Sequence, residues 1–150
     1  MTSNKKRKWG VAIATLFLFC IPVKGIQVSS EQYTHFYPSN EVELRWIHSV
    51  EKEEWKEFYR IHHHELLLYE TAFKTFGAGV PSDGEVIPSD DGLVHFKMNQ
   101  SFPELRLFVS DSIETTMFFS GQEVPIYKYV DDYVDIVIRV TYYPWWLIHT

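Results

Sequence analysis

The stretch WIHSVEKEEWKEFYRIHHHELLLYETAF, Trp46–Phe73, decides the fold. Read in steps of two it separates into an apolar and a polar set, the period of strands whose alternate side chains point to opposite faces of a sheet. The charged run Glu51–Glu54 and the histidines His62–His64 interrupt the alternation, so the stretch predicts antiparallel strands joined by two hairpins. A first turn between Lys52 and Glu53 sets Val50 opposite Trp55, His48 opposite Glu57, Trp46 opposite Tyr59 and Leu44 opposite Ile61. A second turn at His63-His64 sets Ile61 opposite Leu66, Tyr59 opposite Leu68, Glu57 opposite Glu70 and Trp55 opposite Ala72. Apolar residues meet apolar residues in both, and a one-residue slip would send each side chain to the other face. The registers together predict a row of His48, Glu57 and Glu70 running across neighbouring strands among Trp46, Tyr59, Leu68, Val50, Trp55 and Ala72.

Such a row has a cost. Directly opposed Cβ atoms lie about 4.5–5.5 Å apart, so two ionised carboxylates there repel, and burial deepens the penalty. A shared proton, a protonated His48, an arginine such as Arg106 or Arg139, or a bound cation has to neutralise one acid. The leading expectation is a polar network that fixes strand register; ligand or cation binding and acid–base catalysis stand behind it, because a carboxylate pair is necessary for several reactions and sufficient for none. Ser49, Glu51, Gly77 and Gly79 border the same end and complete the set of candidate ligand-binding or network residues with His48, Glu57 and Glu70. Phe76–Gly84 is glycine-rich but has no Gly-Lys-Ser/Thr and opens no helix, so it is not a phosphate loop. Consecutive residues in a strand point to alternate faces, so His62–His64 predicts an exposed turn, not a metal site. There is no Gly-x-Ser-x-Gly, and the sequence assigns no catalytic residue, metal or cofactor.

Outward from this stretch the chain continues as short runs rich in Val, Ile, Tyr, Phe and Thr. Candidate strands are 41–50, 55–62, 65–76, 93–98, 105–109, 112–119, 123–129 and 133–142, with breakers at 77–84, 89–92, 99–103, 120–121 and 131–132. About eight or nine strands at this spacing predict an all-β domain over residues 41–150, an antiparallel sandwich or flattened barrel. Residues 26–40 read as a tether or an edge strand. After the last strand, Tyr142, Tyr143, Trp145 and Trp146 form an almost uncharged cluster that either folds back over an open end of the sandwich or meets a membrane or partner surface.

At the other terminus, Lys5, Lys6, Arg7 and Lys8 precede the uncharged apolar run Trp9–Val23, the outline of an export signal over residues 1–25, cleaved as a signal peptide or kept as an anchor helix. The run falls short of the roughly 17–25 residues of a spanning helix. The expected location is extracytoplasmic, in the cell envelope. Residues 26–150 hold nine basic against twenty acidic side chains, net −11, which repels nucleic acid. The one cysteine, Cys20, lies in the export segment, so residues 26–150 have no disulfide to lean on.

The segments His48-Ser49-Val50-Glu51, Trp55-x-Glu57-x-Tyr59 and Leu68-x-Glu70-x-x-Phe73-x-x-Phe76-Gly77-Ala78-Gly79-Val80-Pro81 resemble the signature of domain of unknown function family 1850, small uncharacterised proteins of bacteria and archaea. The resemblance spans Leu44–Pro81. It implies an exported accessory protein working beside tripartite TRAP-type transporters of the TAXI subfamily, with the permease or the solute-binding protein as partner, and it carries over no catalytic residue. The alternatives are a small-ligand or cation-binding domain built on the His/Glu/Glu row and, behind it, a hydrolase.

Overall fold

The computed structural model describes residues 21–76 and 84–148, and the export-like segment before Ile21 lies outside them. Within them the chain forms eleven strands: β1 (Pro22–Ser29), β2 (Thr34–Tyr37), β3 (Glu41–Ile47), β4 (Glu54–His62), β5 (Glu65–Phe73), β6 (Glu85–Ile87), β7 (Val94–Phe102), β8 (Glu104–Val109), β9 (Thr116–Phe119), β10 (Gln122–Val124) and β11 (Val134–Pro144). Two antiparallel sheets result, a four-stranded one in the order β2-β1-β11-β8 and a seven-stranded one in the order β10-β9-β3-β4-β5-β7-β6. The sheets face each other as a sandwich and do not close into a barrel. The all-β expectation holds, with more and shorter strands than expected: 112–119 shrinks to β9 and 123–129 splits into β10 and a 3-10 turn at Ile126–Lys128.

Period-two alternation explains which face each strand buries. In β11, Ile136 and Ile138 are fully buried while Asp135 and Arg139 are exposed. With Ile26, Val28, Leu105 and Val109 they form the inner face of the smaller sheet, against Val42, Leu44, Tyr59, Leu66, Leu68, Met117 and Phe119 of the larger one. Each such aliphatic side chain contributes about 1.5–3 kcal/mol by leaving water. Seven strands cannot be covered by four. Trp55, Phe73 and Phe96 form a second cluster, packed by Trp46, Val94 and Met98, that draws no side chain from the smaller sheet.

Two departures from the expected elements have local causes. Asn99–Phe102 does not break the chain but extends β7, because Gln100 and Ser101 pair with Leu68 and Leu67 of β5, leaving Pro103 alone as the link to β8. At the N-terminus, Pro22–Gly25, apolar enough to read with the export segment, are the first half of β1, which is an interior strand; β2 is the edge. A Cβ on Gly25 would lie 2.3 Å from the Tyr37 carbonyl oxygen and 2.6 Å from the Phe36 ring, so only glycine lets β2 cross this closely. Phe36 in turn stacks on Tyr143 at 4.7 Å.

Gly25→Ala is therefore expected to destabilise the domain by about 1–3 kcal/mol through overpacking against backbone, read as a lowered urea midpoint at unchanged m-value.

Candidate functional site

The hairpin registers decide what becomes of the predicted row. Lys52-Glu53 suits a two-residue turn poorly, since such turns favour Asn-Gly or similar residues at positive φ. The chain uses a wider loop through Ser49–Lys52, with Lys52 at φ 57°, closed by His48 N–H donating to Glu53 O at 2.8 Å and Lys52 N–H to His48 O at 3.0 Å. Trp46 consequently faces Trp55, not Tyr59, and Glu57 faces Leu44, not His48. The displacement is an even number of residues, so every side chain keeps its expected face. In the second hairpin Ile61 meets Leu66 and Tyr59 meets Leu68 as expected, but a bulge then places Glu70 opposite Phe58, Thr71 opposite Glu57 and Phe73 opposite Trp55. The extra residue is Tyr69. Its insertion sends Glu70 to the outer face of the sheet, away from Glu57. The row of His48, Glu57 and Glu70 is not formed.

Each of the three has its own partner. His48 lies at the loop, its Nδ1 against the Glu51 carboxylate and its ring stacked on Trp55 at 5.6 Å. Ser49 is exposed on the same loop. Glu70 accepts from His95 Nδ1 at 2.6 Å, while His95 Nε2 meets both oxygens of Asp91 at 3.1 Å. With a carboxylate on each ring nitrogen, both nitrogens must donate, which only the imidazolium can do. Burial opposes that charge, yet the bonds to Glu70 and Asp91 outweigh it and raise the His95 pKa above 6.5. Asp91 is held down to about 2, first by the Ser89 hydroxyl, then by the Leu93 N–H, with His95 adding a smaller share. The two carboxylates sit on opposite sides of the ring, so they cannot converge on one ion, and among the described residues no group of acids and histidines is arranged to hold a metal.

Glu57 points the other way, between the sheets. It lines a cavity of about 280 Å³ with Leu44, Trp46, Tyr59, Leu105 and Leu107, roofed by Ile113 and Thr115 of the β8–β9 connection and rimmed by Arg106 and Phe108. The connection is pinned over β3 by Ile47 N–H donating to Ile113 O at 2.7 Å. Tyr59 Oη donates to Glu57 Oε2 at 2.6 Å. Burial pushes the Glu57 pKa above 4.5, and the Tyr59 hydroxyl offsets part of that rise. The predicted neutralising arginines stand elsewhere: Arg106 bonds Glu104 at 2.7 Å and Asp135 at 3.4 Å, and Arg139 bonds Gln27 at 3.0 Å.

Of the remaining candidates, Gly77 and Gly79 lie outside the described residues. His63 and His64 form an exposed turn, with His63 at φ 56°. Tyr142, Trp145 and Trp146 are 43–48% exposed, and Tyr143 is covered in part by Phe36. The residue the sequence reading passed over is His95. Its signal was the alternation of Val94, His95 and Phe96, which puts a histidine on the face opposite two core residues; finding Glu70 beside it required knowing the bulge.

The family described as Domain of unknown function (DUF1850) has a model that matches residues 42–126. No curated protein and no solved structure matches the chain. The matched segment contains every strand of the seven-stranded sheet, β8, and the whole lining of the cavity. It leaves out β1, β2 and β11.

Because the folded-state pKa of His95 is raised, its contribution to stability is complete below about pH 6.5 and is lost as pH rises through the folded value. The groups facing the ring are Glu70, Asp91 and Phe58. His95→Gln is expected to cost about 1–3 kcal/mol at pH 6 and to flatten the decline of the melting temperature above pH 6.5; an unchanged slope would contradict the ion-paired imidazolium.

Proposed function

We propose that this chain, which belongs to the domain of unknown function family 1850, is an exported, membrane-associated accessory protein that acts by contact with a protein of a solute transport system. The observation that carries the reading is the pairing of Pro22 with Pro144. It brings the point where the apolar N-terminal segment enters the fold to the same end as the turn Trp145–Leu147, in which Trp145, Trp146 and Leu147 are each more than a third exposed. Tyr142 completes that end, with its hydroxyl 3.4 Å from His64 Nδ1 of the β4–β5 turn. Trp and Tyr favour the headgroup level of a bilayer, where one side of the ring stays wet. A segment too short to span comfortably holds the domain close to that level.

The same geometry speaks against cutting the chain after Gly25. Loss of residues up to that point would remove Pro22–Gly25 and their pairing with Thr141–Pro144, half of the β1/β11 ladder. The segment reads better as an anchor that stays. The resemblance in the motif residues directs the partner choice to a TAXI-type TRAP permease or its solute-binding protein. The hydrolase alternative loses its basis, because Glu57 and Glu70 lie on opposite faces of the sheet.

In its host the full chain is expected to sediment with membranes, to keep its N-terminal segment by intact mass, and to co-purify with the permease or solute-binding protein in mild detergent. Trp145→Ser/Trp146→Ser should lower that recovery several-fold without changing the melting temperature. Recovery in the soluble fraction with neither protein would refute the reading.

A further inference from the structure

The inter-sheet cavity is a separate matter from the membrane-proximal end. We propose that it is a binding site for a small apolar molecule carrying one protonated amine, seated with its nitrogen on the Glu57 carboxylate and its body against Trp46, Leu105 and Leu107.

Three features of the cavity point to that chemistry. Its volume, about 280 Å³, is at the small end of the roughly 300–1,000 Å³ typical of ligand pockets, which suits a compact molecule. The walls are Leu44, Trp46, Tyr59, Leu105, Leu107 and Ile113, with Glu57 as the one carboxylate among them. An acid set in an apolar wall calls for a counter-charge. Tyr59 supplies a hydrogen bond to Oε2 but no positive charge. Arg106, the one cation among the lining residues, is itself engaged by Glu104 at 2.7 Å and Asp135 at 3.4 Å. Trp46 and Tyr59 in the lining are aromatic rings, the side chains that favour an ammonium over a neutral group of the same size.

The chemistry also separates this cavity from the larger depression, about 540 Å³, that runs beside Ser29–Gln32, Phe108 and Tyr133–Val137. There the acids, Glu31 and Asp135, are exposed to water and carry no such demand. The cavity is built from both sheets. Occupancy would bridge Trp46 and Glu57 of the larger sheet to Leu105 and Leu107 of the smaller one, so a ligand would hold the edge strand β8 and the connection above it to β3 and β4.

The test uses the full chain in mild detergent and three water-soluble probes of similar size: 2-phenylethylamine, 2-phenylethanol and phenylacetate. The amine is expected to raise the melting temperature in a saturable way, with the alcohol and the acid giving little or no shift. Glu57→Gln, which keeps the shape and removes the charge, should abolish the amine effect. Leu107→Trp should do the same by filling the cavity while leaving Glu57 in place. An equal shift with all three probes, an amine shift that survives Glu57→Gln, or no amine shift at all would overturn the assignment.

Discussion

One extra residue in β5 sets the terms for the larger sheet. With Tyr69 inserted opposite the Phe58/Tyr59 step, the inward positions change from Leu66 and Leu68 to Thr71 and Phe73, and the outward set gains Glu70. β7 answers with its own irregularity at the same level, pairing Leu68 with Gln100 but Glu70 with Lys97. The bulge is fixed from both sides. Tyr69 itself lies on the outer face against Phe58, at 6.3 Å between rings, and under the Arg60 guanidinium at 5.2 Å. On the inner side, Trp55 Nε1 donates to Thr71 Oγ1 at 2.9 Å, and Thr71 donates to the Lys56 carbonyl at 3.1 Å. A buried indole N–H left without an acceptor costs about 1–3 kcal/mol, so the aromatic cluster Trp55, Phe73 and Phe96 and the bulge that delivers Thr71 to it stabilise one another.

How far the sequence could be read follows from the same geometry. Alternation in β3, β4 and β11 is strong because one face meets the core and the other meets water, and there the expected faces are correct even where the register is not. The hairpin at Ser49–Lys52 moved by an even step, which alternation cannot detect. Tyr69 was invisible for a different reason: a tyrosine suits either face, and Leu66-Leu67-Leu68 just before it has no polar partner to betray a phase change. Alternation accordingly puts Glu70 in the row with Glu57, and no spacing in the sequence ties it to its partner His95. Hydrophobicity hides β1 as well, because Pro22 and Val23 continue the apolar N-terminal run without a break. The polar stretch Asn99–Ser101 misled in the opposite sense, since a strand paired on one side and exposed along most of its surface needs no apolar residues to persist.

The inequality of the two sheets accounts for the rest of the architecture. Four strands leave ground on the inner face of seven, and the structure fills it in two ways. Rings do most of it: Trp46 stacks on Trp55 at 6.0 Å and Phe73 on Phe96 at 5.6 Å, planar groups that cover wide area at small cost in side-chain entropy. The cavity under Ile113 and Thr115 is what remains. The matched family segment contains both of these solutions and leaves out the β1/β11 ladder, at whose end Pro22 meets Pro144. Two separate pieces of chain thus carry the two surfaces, one an open cleft between the sheets at the β8 edge and one at the junction of the termini.

Glu57 is the residue that this packing would not require. A glutamine or methionine of similar shape would line the same wall without the cost of setting a charge there. Nor does it anchor the register, since its cross-strand neighbours Leu44 and Thr71 offer it no charge. Tyr59 does the opposite of relieving the strain by protonation: its hydroxyl donates, which favours the carboxylate form, and its own pKa is driven far up, first by burial and then by the Glu57 charge and bond. A hydroxyl that donates to a half-buried acid, offsetting part of the rise that burial causes, suits a site where something positive meets that acid. Among lining residues that are mostly apolar, Glu57 is the one carboxylate, and it is this acid, not the exposed histidines, that the packing of the sandwich leaves without a structural task.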